Sequence, residues 1–491
     1  MLGLKVGCIE MSVMSIGYLL FVFVGLPIYY RIPQRQRYKW LIVLSMLFIY
    51  SCSPIGPVFV FGTSLIVYRV AKAMPSSKHA KRLLLISLGW CLGILLLLKY
   101  AAVSFPAAQK SFVSKYLYPV GLSYYTLQVI SYLLDVYWGR IEPERDFRRI
   151  LLFTSYFPQL IQGPISKYSE LSRELFKQTE FEWRNLKYGV QLMLWGFFKK
   201  MVIADRIAGS VTEAFWSGNT PQGLTIWVGL FLYSIQLYCD FSGGIDIVRG
   251  ISECYGIGLK QNFNQPYFSR SLGEFWRRWH ISLGEWMKDY VFYPISTSKA
   301  MAKLKKKLKN RYSRKTATRV SIAIANIVVF ALVGLWHGAG SNFIAWGLYN
   351  GMILALGGLL EDPFQAAKTK LRIHSDSAVW RGFCVARTFF IVMVGNAFDC
   401  ASSCTDAVGM IFRMFDVQAF GTVGISFPFI GMLMAVALLA VDLLHERHIS
   451  IRQTLNAKSD WVQFVFWIAV IQVIACLGKV PNIGGFLYAN F

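Results

Sequence analysis

The stretch "EFWRRWHISLGEWMKDY", residues 274–290, places three tryptophans and one histidine among charged side chains in an otherwise apolar chain. On a helix of about 100° per residue, its apolar side chains share one face and its charged ones the other. The apolar face consists of Trp276, Trp279, Leu283, Trp286, Met287 and Tyr290. We therefore predict an amphipathic helix with its tryptophans at a membrane boundary, His280 at the edge of the aromatic face and Glu274 paired with Arg278.

Composition outside this stretch indicates a membrane protein. Of 491 residues, 55% are hydrophobic and only 16% are charged, and the mean hydropathy is +0.45. A soluble globule of this size would need more polar surface. Several uncharged runs approach or reach the roughly 20 residues that cross a hydrocarbon core, namely 11–30, 83–98, 223–239, 320–336, 425–441 and 461–477. The fold class predicted is all-α and polytopic, with the first run an anchor and not a removable signal peptide.

The net charge of +25 could indicate a nucleic-acid partner, but its distribution argues for a membrane. Basic residues are concentrated in short loops between apolar runs, at 31–39, 72–82, 140–149 and 299–319. This is the pattern of loops that face the cytoplasm. The loop at 299–319 holds ten lysines and arginines and no acid, so anionic lipid headgroups are its expected neighbours and nucleic acid is not.

No familiar soluble-enzyme motif is present. The nine cysteines have no metal-ligand spacing, so we expect no metal site, and there is no G-x-S-x-G, no G-x-x-x-x-G-K-[ST] and no H-E-x-x-H. Without an internal repeat or linker, the chain is expected to form one integral-membrane domain over 1–491. Within it, 1–140 supplies N-terminal helices, 141–360 a core with the motifs, and 361–491 C-terminal helices.

A second unusual stretch is "GLWHGAGSNFIAWGLYNG", residues 334–351, where His337 ends an apolar run. His337 lies 18 residues beyond Arg319, roughly 27 Å along a straight helix. It should therefore lie deep in the membrane or toward its outer side. An ionisable residue at that depth is a candidate functional residue, and the alternative is a hydrogen-bonded role in helix packing.

A third stretch, "LYCDFSGGIDIVRG" at 237–250, places Asp240 and Asp246 around a Ser-Gly-Gly sequence. We expect the glycines to break the helix and both carboxylates to be structural, accepting hydrogen bonds from freed backbone N–H groups or from Arg249. The apolar segment 153–165 is too short to span comfortably and is expected to be re-entrant or half-buried.

A histidine inside the membrane, without a serine nucleophile or metal ligands, suits general-base catalysis. Neutral imidazole can take a proton from a hydroxyl group as its oxygen attacks a thioester carbonyl. The resulting oxyanion would need N–H donors, for which a tryptophan indole, Asn342 and Arg277 are the candidates.

Four segments carry a family resemblance: "YCDFSG" at 238–243, "NFNQPYFSRSLGEFWRRWHISLGEWMKDYVFYP" at 262–294, "GLWHG" at 334–338 and, more loosely, "YFPQLIQGPI" at 156–165. These resemble the membrane-bound O-acyltransferase (MBOAT) family, in particular its bacterial alginate O-acetyltransferase branch. The ends, "GLPIYY" at 25–30 and "GGFLYANF" at 484–491, are also similar to that branch. Two segments depart from its pattern, Gly244–Ile245 before Asp246 and "NAFDCA" at 396–401, and the second leaves the acceptor open.

The resemblance implies a bundle of roughly 11 transmembrane helices, with re-entrant and interfacial helices around a transfer tunnel. It implies His337 as the catalytic histidine and His280 as a supporting one, presented by an interfacial helix at the cytoplasmic boundary. Candidates for the tunnel lining are Trp276, Arg277, Trp279, Trp336 and Asn342.

The activity implied is transfer of acetyl groups from cytosolic acetyl-CoA to an exported or surface polysaccharide, without a bound cofactor. In this branch an extracytoplasmic acetyltransferase of the SGNH type usually completes the transfer, and the location implied is the bacterial cytoplasmic membrane. D-alanyl transfer to teichoic acid from a carrier-protein thioester is the alternative within the family. A transporter should show polar pathway residues or inverted repeats, and an inert scaffold should tolerate loss of both histidines.

Overall fold

The computed structural model describes residues 14–104, 121–160, 162–218, 220–416 and 424–479, with no side-chain description for 98–104. The C-terminal motif at 484–491, Cys8 and the first residues of the N-terminal apolar run lie outside these ranges. The chain divides into two compact units. Of the described residues, one unit holds those up to Phe197 together with Gly243–Lys260, and the other holds Phe198–Ser242 and those from Gln261 onward.

The described part of the chain belongs to the all-α class, as predicted, and contains one isolated β-bridge instead of strands. Up to Phe197 the helices are α1 (Ile16–Arg31), α2 (Arg37–Cys52), α3 (Gly56–Ala73), α4 (Ala80–Ser104), α5 (Leu122–Tyr137), α6 (Phe147–Ser155), α7 (Tyr168–Leu175) and α8 (Trp183–Phe197). A π-helix over Phe198–Ala204 follows directly, and then come α9 (Asp205–Phe215) and the long α10 (Gly223–Cys254).

The remaining helices belong to the second unit. They are α11 (Leu272–Arg278), α12 (Ile281–Met287), α13 (Tyr293–Ser296), α14 (Lys299–Lys309), α15 (Arg314–His337), α16 (Ser341–Leu359), α17 (Glu361–Lys370), α18 (Ala378–Gly395), α19 (Ala397–Cys400), α20 (Cys404–Arg413), α21 (Phe429–Glu446), α22 (Ile451–Asn456) and α23 (Asp460–Leu477). A second π-helix, Lys288–Phe292, lies between α12 and α13.

Seven helices of the described chain are long and apolar enough to cross a membrane. They are Ala80–Leu97, Gly223–Cys254, Arg314–His337, Ser341–Leu359, Ala378–Cys400, Phe429–Glu446 and Asp460–Leu477. Large apolar side chains are exposed along the last two, as expected where lipid replaces a protein neighbour. The chain is a multi-pass membrane protein. The number is below the roughly 11 expected because several predicted crossings are short helices, such as α1 with 16 residues.

The glycines of α10 do not break it, contrary to the expectation from the sequence. Within the first unit, a Cβ atom on Gly196 of α8 would lie 2.5 Å from the carbonyl oxygen of Gly243. A Cβ atom on Gly250 would lie 2.5 Å from the carbonyl oxygen of Gly189. These four glycines form a seam along which the backbones of α8 and α10 touch. Their role is to permit this close helix packing, and α10 continues through them without a break.

The amphipathic helix predicted over 274–290 is also not continuous. Helix α11 ends at Arg278, Trp279 is extended, and His280 has the left-handed conformation with φ 47° and ψ 53° before α12 begins at Ile281. The backbone of this break pairs with residues 262–264: Asn264 N–H donates to the Arg278 carbonyl at 2.9 Å, and Ile281 N–H donates to the Asn262 carbonyl at 3.0 Å. Pairing with a distant segment therefore replaces the helical bonds at this point, and the single aromatic face is lost.

Other local predictions agree with the structure. Glu274 and Arg278 form the expected ion pair at 2.7 Å, and Arg278 also reaches Glu446 of α21 at 2.6 Å. In the first unit, residues 156–160 and 162–166 are non-helical and buried, as a re-entrant or half-buried segment would be. One of its backbone groups, the N–H of Phe157, donates to Ser45 Oγ at 3.2 Å.

Candidate active site

The indole of Trp336 contacts both histidines that the sequence singled out. Its ring centroid lies 5.3 Å from that of His337 and 6.3 Å from that of His280. Both histidines are buried, with 9% of His337 and 2% of His280 exposed. Two segments 57 positions apart in the printed sequence are thus brought to one aromatic ring.

His337 occupies the end of α15, where the chain turns into α16. The imidazole also contacts Trp346 of α16, with ring centroids 5.0 Å apart. The two helices approach closely because glycines face each other: a Cβ atom on Gly334 would collide with the Phe343 carbonyl, and one on Gly347 with the Phe330 carbonyl. Small residues therefore set the distance at which Trp346 meets His337.

His280 is held by Asn262 and by the break between α11 and α12. Its Nδ1 lies 3.2 Å from Asn262 Nδ2 and 3.4 Å from Asn262 Oδ1. Oδ1 already accepts a hydrogen bond from the Ser282 N–H at 2.9 Å, which fixes the orientation of the amide. With Oδ1 engaged by Ser282, the shorter contact favours the Nδ2–H group as the donor to Nδ1 and Nε2 as the protonated nitrogen of a neutral ring. Phe241 packs edge-on against the same ring at 4.9 Å.

Burial beside Asn262 and Phe241 lowers the pKa of His280 well below the ordinary value for histidine. An imidazolium would have to leave water for a site lined by an amide and aromatic rings, which disfavours the charged form. His280 is therefore neutral at physiological pH and can act as a hydrogen-bond donor and not as a cation.

Trp276 extends the aromatic wall from His337 toward α11. Its ring lies 5.5 Å from Trp346 and 5.2 Å from Phe330. The indole Nε1 is buried and has no hydrogen-bond partner among the residues that the structure describes. A buried N–H group without a partner costs about 1–3 kcal/mol, which a ligand atom at this position would recover.

The other tunnel-lining candidates occupy different surroundings. The ring of Trp279 stacks on that of Phe275, with centroids 5.5 Å apart, and packs edge-on against Phe263 at 5.0 Å. These three rings form an aromatic cluster next to the break between α11 and α12. Arg277 is exposed. The amide nitrogen of Asn342 donates to the carbonyls of Phe398 and Ala401 at 3.0 and 3.1 Å, so it ties α16 to the segment at 396–401.

Contacts of α11 with α15 place the histidine site away from the basic loop. Trp276 meets Phe330 and His280 meets Trp336, which are both in the last turns of α15, whereas the basic residues precede or begin that helix. The position of α11 relative to the membrane boundary stays a prediction.

Asp240 has a buried partner that the sequence did not indicate. Lys200 of the π-helix reaches Asp240 at 2.5 Å and Asp205 at 2.8 Å, and all three side chains are buried. Burial is the larger effect on Asp205 and raises its pKa to about 6, although Lys200 opposes the shift. Asp246 pairs with Arg249 at 3.4 Å, as the sequence suggested. Both aspartates thus have structural partners.

Asn262, Lys200 and Asp205 are site or support residues that sequence reasoning missed. Asn262 stands inside the long motif at 262–294, but its role depends on the distant pairing of residues 262–264 with the histidine turn. Lys200 stands 40 positions before Asp240, so no helical spacing connects them. The signal available for the lysine was its occurrence in an apolar run beside Lys199.

Comparison with known proteins gives one family and several relatives. The model of the membrane-bound O-acyltransferase family, MBOAT, matches residues 145–395, which include every site residue described above. The chain is 34% identical over 354 residues to a protein of Pseudomonas putida named probable alginate O-acetylase AlgI, covering 68% of this chain and 69% of that one.

Two further relatives differ in their named acceptors. A peptidoglycan O-acetyltransferase of Helicobacter pylori is 32% identical over 265 residues, 48% of this chain and 47% of its own length. A teichoic acid D-alanyltransferase of Bacillus subtilis is 31% identical over 245 residues, 48% of this chain and 58% of its own length.

Proposed function

Because the chain belongs to the membrane-bound O-acyltransferase family and is therefore an acyltransferase, we propose that it moves acetyl groups from cytosolic acetyl-CoA to an exported polysaccharide. The observation that carries this proposal is the packing of His337 and His280 against one indole, that of Trp336. The named acceptors of two relatives, alginate and peptidoglycan, are polysaccharides. We propose that the membrane is the bacterial cytoplasmic membrane, because these relatives come from bacteria.

His337 is the general base in this proposal. Its neutral imidazole takes the proton of an acceptor hydroxyl as that oxygen attacks the thioester carbonyl carbon. The tetrahedral intermediate collapses by breaking the carbon–sulfur bond. The proton held by His337 passes to the departing sulfur, so the products are an acetyl ester and free coenzyme A, and the imidazole is neutral again.

His280 and Trp276 are proposed to stabilise the negative charge that develops on the carbonyl oxygen. The contact with Asn262 supports a tautomer of His280 in which Nε2 carries the proton and can donate. The buried Nε1–H of Trp276, two ring contacts from His337, is the second proposed donor. Donors already fixed by the fold lower the barrier because they need no reorientation as charge develops.

The position of His337 supports an acceptor that approaches from outside the cytoplasm. Helix α15 has 24 residues, about 36 Å at 1.5 Å per residue, and its basic N-terminal end has the charge pattern of a cytoplasmic boundary. His337 lies at the opposite end. We propose that an extracytoplasmic SGNH-type enzyme supplies the acceptor hydroxyl and passes the acetyl group on to the polysaccharide.

The test measures ester-linked acetate on surface polysaccharide in cells that carry His337→Ala, at membrane protein levels matched to wild type. Acetate should be lost in this variant. The exposed His374 gives a matched control, and His374→Ala should leave acetate unchanged. Unchanged acetate in His337→Ala would refute the proposal. Loss of ester-linked D-alanine instead of acetate would assign the chain to the reaction named for its Bacillus subtilis relative.

A further inference from the structure

Helix α14 carries a concentrated positive charge on one side. Over its 11 residues, Lys299–Lys309, it has six lysines and no acidic residue. We define its basic face as Lys299, Lys303, Lys305, Lys306, Lys307 and Lys309. Five of these side chains are exposed and Lys305 is half-exposed. The sequence "KAMAKLKKKLK" could have been an irregular loop, but it forms a helix capped by Ser298, whose side chain accepts from the Met301 N–H.

The opposite side of α14 packs on the protein. Met301 is buried, and Leu304 and Leu308 are half-buried at the three- and four-residue spacings that define one helical face. Helix α14 lies against α15. The packing holds the lysines in one direction, so they form a fixed surface and not a mobile basic tail.

Two acidic residues, Glu361 and Asp362, already pair with basic residues of α15. At the start of α17, Asp362 pairs with Lys315 at 2.6 Å and with Arg319 at 2.6 Å, and Glu361 pairs with Arg319 at 2.5 Å. These contacts neutralise the first turns of α15. Within the described chain, the six lysines of the basic face have no ion-pair partner. Arg311, in the turn that follows, and Arg314, the first residue of α15, add to the same excess of positive charge.

The location of α14 indicates which molecules can neutralise the positive charge of its basic face. Helix α15, on which α14 packs, is one of the helices that can cross the membrane, and it begins at Arg314 directly after the basic face. An unneutralised basic helix at the start of a membrane span lies at the level of the lipid headgroups. Lysine ammonium groups on flexible stems suit phosphate groups whose positions are not fixed.

We propose that the basic face of α14 binds the phosphate groups of anionic phospholipids in the cytoplasmic leaflet. Headgroups beneath the helix act as its counter-charges and fix the N-terminal end of α15, the helix that carries His337 at its other end. A helix-long row of six lysines matches a leaflet of many headgroups better than the few phosphate groups of one coenzyme A. The proposal is independent of the acyl acceptor.

The experiment uses the purified full-length protein and counts phospholipids that remain bound, by native mass spectrometry, after equilibration with equal amounts of phosphatidylglycerol and phosphatidylcholine. In one variant, Lys303, Lys305, Lys306, Lys307 and Lys309 become glutamine, and in its matched control they become arginine. Wild type and the arginine control should retain phosphatidylglycerol preferentially. The glutamine variant should lose that preference by about 5-fold or more, and added salt should have the same effect on wild type.

Two results would overturn the proposal. One is a glutamine variant that keeps the phosphatidylglycerol preference of wild type. The other is a variant with unchanged lipid binding but a raised KM for acetyl-CoA, which would assign the basic face to the donor. The variant with five glutamines could fail to reach the membrane. In that case the double variant Lys303→Gln/Lys307→Gln, with its two changes one turn apart, gives the same comparison with a smaller expected loss of phosphatidylglycerol preference.

Discussion

Replacing Asn262 by aspartate changes one atom beside His280 and keeps the shape of the side chain. In the wild-type structure, Asn262 Nδ2 lies 3.2 Å from His280 Nδ1 and donates to it, while Oδ1 accepts from the Ser282 N–H at 2.9 Å. An aspartate retains the acceptor for Ser282 but offers only acceptors to the imidazole. In the neutral imidazole of this variant, Nδ1 carries the proton and Nε2 changes from a donor to an acceptor, whereas an imidazolium formed beside the new carboxylate at lower pH would keep the N–H at Nε2.

The expected loss follows from the role proposed for Nε2. Removing one positioned N–H donor at a developing oxyanion lowers kcat by about 10²–10³-fold, or about 2.7–4 kcal/mol. The fold should be retained in Asn262→Asp because the bond to Ser282 is kept. Asn262→Ala instead loses both side-chain hydrogen bonds, each about 0.5–1.5 kcal/mol, so it should lower stability by about 1–3 kcal/mol as well as activity.

The assay measures kcat and KM for acetyl transfer in reconstituted vesicles, together with the melting temperature of each variant. Asn264 is exposed and two positions away, so Asn264→Asp is the matched control and should behave as wild type. If Asn262→Asp kept kcat within about twofold of wild type at unchanged KM, measured above the pKa of His280 in that variant, the tautomer of His280 would have no part in the reaction.

Three further variants test other contacts. Trp276→Phe removes the indole N–H but keeps a ring and should lower kcat by about 10²-fold, whereas Trp279→Phe should alter stability alone; equal kcat values would exclude Trp276 as a donor. Lys200→Met removes the cation that two buried carboxylates share and should cost about 3–5 kcal/mol, so an unchanged melting temperature would contradict the ion-pair assignment. Because burial lowers the pKa of His280, the unfolded chain binds the extra proton first, and stability is full above about pH 6.5 and falls on acidification by up to about 1.4 kcal/mol per pH unit. His280→Asn should remove this acid-side slope in a pH series of melting temperatures, and an identical slope would refute the burial argument.

The membrane class and the position of His337 at the end of a long helix were predictable because they depend on local information. Composition and the length of an apolar run indicate whether a segment is stable in water or in lipid. Neither depends on a tertiary contact. The pair of Glu274 and Arg278 was predictable for the same reason, since the two residues are one helical turn apart. Placing an ionisable His337 at the far end of a long apolar run required only counting along α15.

The break at His280 and the partner of Asp240 were not predictable from local patterns. The helical periodicity of 274–290 is genuine, but the backbone of residues 262–264 competes for the same N–H and carbonyl groups and replaces the helix at that point. Periodicity within one segment contains no information about such a competitor. Lys200 meets Asp240 only because the helices that carry them pack together, 40 positions apart in the chain.

The seam between α8 and α10 limits how this part of the sequence can evolve. Its contact points, Gly189 with Gly250 and Gly196 with Gly243, are seven positions apart on each helix, two turns, and run in opposite directions. At each contact a Cβ atom would collide with the backbone of the facing helix, so alanine is excluded as strictly as a larger residue. Glycine therefore cannot be replaced stepwise by side chains of increasing size. A substitution at these positions would require the two helices to move apart at both contacts together. Gly357 and Gly358, which face open space, carry no such restriction.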